Sequence, residues 1–132
     1  FRLRQLPGAS LRRVSGILNS TTNIILTRMR DKRCSMEEAL AFAQEQGIAE
    51  RDPSDDLDGH DAAAKLAVLC VVAFGRPIAE AAISKESIRG VTLQQVDAAA
   101  SRGQSLKVVC EAEAAPSGAI VASVTLKELP MR

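Results

Sequence analysis

Residues 47–74, GIAERDPSDDLDGHDAAAKLAVLCVVAF, constrain the chain most: an acidic, proline-punctuated loop passes into an apolar helix carrying one charge, Lys65. Glu50, Asp52, Asp55, Asp56, Asp58 and Asp61 crowd the approach. Asp55, Asp56 and Asp58 offer N-cap oxygens, the following run is rich in Ala and Leu, and Gly75-Arg76-Pro77 ends it. Every residue from Leu66 to Phe74 is apolar, which predicts a core helix enclosed by protein on most sides.

Asp61 and Lys65 are four residues apart, so carboxylate and ammonium share one helix face, which Val68 and Val72 continue. As a plain surface pair this contact is worth about 0.3–0.5 kcal/mol. Spacing alone favours that reading, while the acidic approach on one side and Ala62–Ala64 with Leu66–Val68 on the other raise a candidate site as the alternative. Burial there strips water from the lysine, while the carboxylates favour its charged form. Ser54, Asp56, Asp58 and Gly59 imitate the opening of a calcium-binding loop, but its twelfth position, where a bidentate Glu is needed, is Lys65. Calcium is excluded, and no other metal set is expected.

The 132 residues, 46% hydrophobic with mixed charges, fit one soluble globular domain. A net charge of +1 and the lack of Trp and Tyr argue against a nucleic-acid surface or stacking platform. The basic start, with eight Arg or Lys in residues 1–33, reads as a solvated strand and helix face. Cys34, Cys70 and Cys110 are odd in number and widely spaced, so neither disulfide framework nor zinc cluster is expected, and a reducing, cytoplasmic setting is. No apolar run reaches the roughly 18 residues of a membrane span, and FRLRQLPGAS lacks a signal peptide's hydrophobic stretch. Because the first residue is not Met, a piece of a longer chain is expected.

After the Pro7-Gly8 break, Leu11 to Leu18 reads as a strand, and Asn19-Ser20-Thr21-Thr22-Asn23 as a polar turn whose oxygens cap a helix from Ile24 to about Arg33. Ser35-Met36-Glu37-Glu38 is a capping box for a helix ending at Gly47. Ser84 to Gly90 reads as a short extended connection, and Thr92 caps a helix over Leu93–Ala100 that Gly103 ends. Leu106–Ala112 and Ala119–Leu126 read as strands joined by a hairpin at Pro116-Ser117-Gly118. The order predicts an α+β domain with a mixed or antiparallel sheet covered by helices. No G-x-G-x-x-G follows a strand, so no dinucleotide-binding unit is expected in these residues.

Two segments, Gly16-Ile-Leu-Asn-Ser-Thr-Thr-Asn23 and Ala49-Glu-Arg-Asp-Pro-Ser-Asp-Asp-Leu-Asp-Gly-His-Asp-Ala-Ala-Ala-Lys65, together resemble the substrate domain of homoserine dehydrogenase. Their order, their spacing and the intervening MEEALAFAQEQG helix belong to the resemblance, which extends more weakly through Ile88-Arg-Gly-Val-Thr92 to the final strands. It implies an oxidoreductase interconverting L-homoserine and L-aspartate 4-semialdehyde with NAD or NADP, in threonine, methionine and isoleucine biosynthesis. Lys65 then corresponds to the catalytic lysine and Asp61 to its carboxylate partner. Glu50, Asp56 and Thr21 would bind substrate, while Asn19 and Thr22 would line the cofactor junction with the family's N-terminal Rossmann domain, which these residues do not include. The resemblance also implies a homodimer formed through the sheet.

Where the family reads Asn-Gly-Thr-Thr-Asn-Tyr, this chain has Ser20 and Ile24 in place of the Gly and the Tyr. A side chain at the glycine position alters the approach of backbone to ligand, so another small amino or hydroxy acid is the alternative substrate. A non-catalytic structural or dimerisation module is the other alternative. His60, the only histidine, is read as a tuning or solvent-facing residue off the Asp61–Lys65 face.

Overall fold

The computed structural model describes residues 2–3 and 13–131. Strand β1 (Arg2–Leu3) and β2 (Arg13–Gly16) lead into helix α1 (Ser20–Lys32), followed by α2 (Met36–Glu45), α3 (Ser54–Leu57) and α4 (His60–Phe74). A 3₁₀ turn (Glu80–Ala82), β3 (Ser84–Lys85), α5 (Leu93–Ser101) and the long hairpin β4 (Gln104–Ala114) and β5 (Ile120–Pro130) complete the chain. The sheet order is β1-β2-β4-β5-β3, antiparallel throughout except for the parallel β3–β5 pair, so the expected mixed α+β sheet is what forms. The Pro7-Gly8 break and the first two residues of the expected strand, Leu11 and Arg12, lie outside the described residues.

Period-two alternation along the hairpin explains the core. Leu106, Val108, Cys110 and Ala112 of β4 and Ile120, Ala122, Val124 and Leu126 of β5 join one apolar cluster with Ile25, Leu26 and Met29 of α1 and Ala62, Ala63, Leu66 and Cys70 of α4. The expected capping box at Ser35 and Glu38 forms, and Thr92 makes a second with Gln95. Helix α1 starts at Ser20, four residues earlier than the sequence suggested. The polar cluster is its first turn, because Asn19 takes the cap position and accepts the Thr22 N–H.

Two expectations about α4 are corrected. Its cap is not an aspartate. Gly59, with φ 85°, turns the chain into the helix without a side-chain cap, while Asp55 and Asp56 lie in α3 and Asp58 ends it. Nor is α4 enclosed on most sides: Ala62, Ala63, Leu66 and Cys70 form the inward stripe, whereas Val68 (66% exposed), Val71 (48%) and Val72 (73%) face outward. A run of nine apolar residues says nothing about which third of the helix surface meets the sheet.

Two side chains finish the sheet where strands stop. β2 pairs with β4 only as far as Gly16 opposite Cys110. At Val108, two residues further along, the Asn23 carboxamide oxygen accepts the Val108 N–H at 2.9 Å, and its nitrogen donates to the Asn19 carbonyl at 3.0 Å. On the opposite side of the hairpin, Glu86 just past β3 accepts the Leu126 N–H at 2.9 Å. Val108 and Leu126 are direct register partners, so one rung is closed at both ends by side chains.

The acidic loop is pinned from behind. Ser87 Oγ and Arg89 Nε donate to Asp58 Oδ1 at 2.7 and 2.9 Å, Arg89 Nη2 donates to Ser54 Oγ at 2.9 Å, and the Ile88 N–H donates to the Leu57 carbonyl at 3.0 Å. The Ser87 hydroxyl, and then the Arg89 guanidinium, hold the Asp58 carboxyl below the ordinary carboxylate value.

Replacing Asn23 by Ala leaves the buried Val108 N–H without its acceptor, and a loss of about 1–3 kcal/mol is expected in urea unfolding. The Asp58 tether strengthens the fold fully above its unfolded pKa, about 3.9, and is lost as pH falls through the lower folded value. Thermal unfolding at pH 5 and pH 3 should therefore show a smaller acid-induced drop for Asp58→Asn than for the wild type.

Candidate active site

Three segments converge on one buried side chain. The β2–α1 turn brings the Leu18 carbonyl and Asn19, α3 brings Asp56, and the first turns of α4 bring Asp61 and Lys65. The Asn19 nitrogen donates to Asp56 Oδ1 at 2.7 Å and to Asp61 Oδ2 at 2.8 Å. Its oxygen accepts the Thr22 N–H at 2.9 Å and the Thr22 hydroxyl at 2.6 Å.

The same Asp61 oxygen lies 3.0 Å from the Lys65 ammonium. The ammonium also donates to the Leu18 carbonyl at 3.1 Å. That carbonyl is available because it lies past the end of β2. The Lys65 side chain remains 55% exposed, so its ammonium is anchored by two acceptors yet open to solvent or to a reactant. It is less desolvated than the sequence suggested, because the outward face of α4 is open. Cys110, on β4 near Leu18 and Lys65, is buried, and burial pushes its thiol up.

Of the remaining expected site residues, Glu50 is exposed on the loop before α3. Gln44 Nε2 holds that loop by donating to the Glu50 and Arg51 carbonyls at 2.9 and 3.2 Å. Thr21 is half-buried, and its hydroxyl makes only a long 3.5 Å contact to the Ile48 carbonyl. Asn19 and Thr22, expected at a cofactor junction, are buried, and their side-chain polar atoms direct their bonds into the chain itself. An open cleft of about 540 Å³ is lined by Asp55, His60, Asp61, Ala64 and Glu80. His60 is half-exposed there with Nδ1 3.7 Å from Glu80 Oε1, beside Asp61 and away from the Lys65 contact. Ser20 and Ile24 line a different cleft, of about 460 Å³, with Ile17, Thr27, Arg28 and Lys107.

Sequence reasoning missed two parts of this arrangement. The Leu18 carbonyl leaves no trace in residue identity, and the bridging by Asn19 depends on tertiary approach. Among the described residues no three His, Cys, Asp or Glu side chains converge to hold a metal ion, and no helix is long and apolar enough to cross a membrane. The arrangement can hold a cationic group against carboxylates and exchange a proton at a lysine.

Comparison with known proteins bears on what those capabilities serve. The family model for homoserine dehydrogenase matches residues 3–132. The homoserine dehydrogenase of Lactococcus lactis subsp. lactis is 41% identical over 115 residues, which cover 87% of this chain and 27% of that protein. S. aureus homoserine dehydrogenase superposes with a TM-score of 0.87 at 33% identity, over 92% of this chain and 30% of the other. A hyperthermophilic archaeal homoserine dehydrogenase in complex with NADPH superposes with a TM-score of 0.72 at 28% identity, over 94% and 34% of the respective chains. The chain thus spans only about a quarter to a third of the length of these relatives. With its fold and nearly its whole length accounted for in this way, it belongs to the homoserine dehydrogenase family.

Proposed function

We propose that these residues form the substrate-binding and catalytic domain of an enzyme that interconverts L-homoserine and L-aspartate 4-semialdehyde with NAD or NADP. The observation that carries the reading is the Lys65 ammonium, fixed between the Asp61 carboxylate and the Leu18 carbonyl at 3.0 and 3.1 Å while half its side chain stays open.

The chemistry follows from these groups. When semialdehyde is reduced, negative charge grows on the carbonyl oxygen, and Lys65 donates the proton that completes the hydroxyl. In the oxidation, the neutral amine takes that proton back. Asp61 keeps the ammonium oriented and balances its charge. The Glu50 and Asp56 carboxylates suit the substrate's own ammonium, and the Thr21 hydroxyl, weakly engaged within the chain, is free to bond a substrate polar group.

NAD or NADP supplies or accepts the hydride when bound. The residues present fit the carbonyl end of that transfer but not the nucleotide's phosphates: the β2–α1 turn, Ile17 to Asn19, has no glycine, and Asn19 already caps the helix behind it. The phosphates therefore belong with a separate nucleotide-binding unit. We infer in addition a homodimer through the sheet face that the helices leave uncovered, and a role in cytoplasmic threonine, methionine and isoleucine biosynthesis.

The test uses the full-length protein and NAD(P)H-linked turnover of both substrates. Lys65→Ala should lower kcat by about 10²–10⁴-fold with the unfolding midpoint unchanged, the usual weight of one positioned acid–base group. A wild-type protein that binds the cofactor yet is inert toward homoserine and the semialdehyde would sink the assignment in favour of another small amino or hydroxy acid, or of a non-catalytic module.

A further inference from the structure

Asn19 is 4% exposed, with both polar atoms of its side chain engaged. Its orientation is not free. The Thr22 N–H, at 2.9 Å, can only donate, so the carboxamide oxygen must face α1, where it also accepts the Thr22 hydroxyl at 2.6 Å. The nitrogen must then face the other way, and its two hydrogens find Asp56 at 2.7 Å and Asp61 at 2.8 Å. Turning the amide over would set donor against donor at the Thr22 N–H and acceptor against acceptor at the carboxylates.

Asp56 and Asp61 come from different helices, and as like charges they repel. One NH₂ group holds an oxygen of each within two hydrogen-bond lengths of the other. The Asp61 oxygen it holds is the one in contact with Lys65.

We propose that Asn19, oriented by Thr22, is a positioning residue that fixes the distance between the carboxylate that receives the substrate ammonium and the carboxylate–lysine pair that moves the proton. It rests on the reaction proposed above, and it gives one buried amide control over both substrate affinity and turnover, which Asp56 and Asp61 otherwise govern separately. A residue that merely capped α1 would control neither.

Asn19→Asp and Asn19→Ser test this in the full-length enzyme, because both keep an oxygen able to cap the helix while removing the bridging NH₂. The expected result is a fall in kcat of about 30- to 100-fold together with a rise in KM of about 10-fold in both variants, well below their unfolding temperatures. Wild-type kcat and KM in either variant overturn the proposal. So does a loss confined to Asn19→Asp, since that traces to the added charge. Should neither variant fold, Thr22→Val carries the test: kcat and KM shift together by about 3- to 10-fold and Thr22→Ser restores both, or the proposal fails.

If the wild-type enzyme itself proves inert toward homoserine and the semialdehyde, the reaction assignment falls. The positioning role is then decided by the variants' crystal structures. Asp56 and Asp61 swung apart, with the Lys65 contact broken, sustain it, and carboxylates unmoved overturn it.

Discussion

A buried carboxamide must satisfy its hydrogen-bonding groups or lose about 1–3 kcal/mol for each left empty, and at Asn19 that demand is met by three separate stretches of chain. Thr22 answers from α1, Asp56 from α3 and Asp61 from α4. Folding these stretches together is therefore also the act that assembles the site. The residue one turn along, Asn23, extends the arrangement by tying the same turn of helix to the β4 backbone. Two asparagines on one helical turn thus hold the acidic loop on one side and the sheet on the other.

The acidic loop illustrates how a crowd of like charges is made compatible with a fixed structure. Four of its five aspartates have a donor assigned: Asp52 meets Ser54, Asp56 meets Asn19, Asp58 meets Ser87 and Arg89, and Asp61 meets Asn19 and Lys65. Only Lys65 and Arg89 among these donors are cations; the rest are hydroxyls, an amide and backbone. Neutral donors orient a carboxylate without cancelling its charge, so the loop keeps the negative potential that a cationic ligand would meet.

Local chemistry was readable from sequence wherever the cause lay within a few residues. The Ser35–Glu38 box, the hairpin at Pro116-Ser117-Gly118 and the Asp61–Lys65 spacing all follow from short-range rules. The family resemblance brought Glu50, Asp56, Asp61 and Lys65 forward together, and the structure joins Asp56, Asp61 and Lys65 through Asn19 while leaving Glu50 on the exposed loop. What stayed hidden depended on distant partners. Two residues of β3 become a strand only because β5 lies beside them, and three aspartates compete for a cap that Gly59 takes through its backbone conformation. The outward Val68 and Val72 belong to the same limit, since composition cannot say on which side of a helix the sheet lies.

The rung formed by Val108 and Leu126 has a consequence for how this sheet can meet other chains. An open strand edge offers free N–H and C=O groups as a template for an incoming strand, a route to uncontrolled association. Here the N–H on one side is occupied by Asn23 and that on the other by Glu86. A strand approaching at that rung would have to displace a carboxamide or a carboxylate, each already bonded to the backbone it would compete for. Addition of a strand to β4 or β5 at that rung is thereby obstructed from both sides.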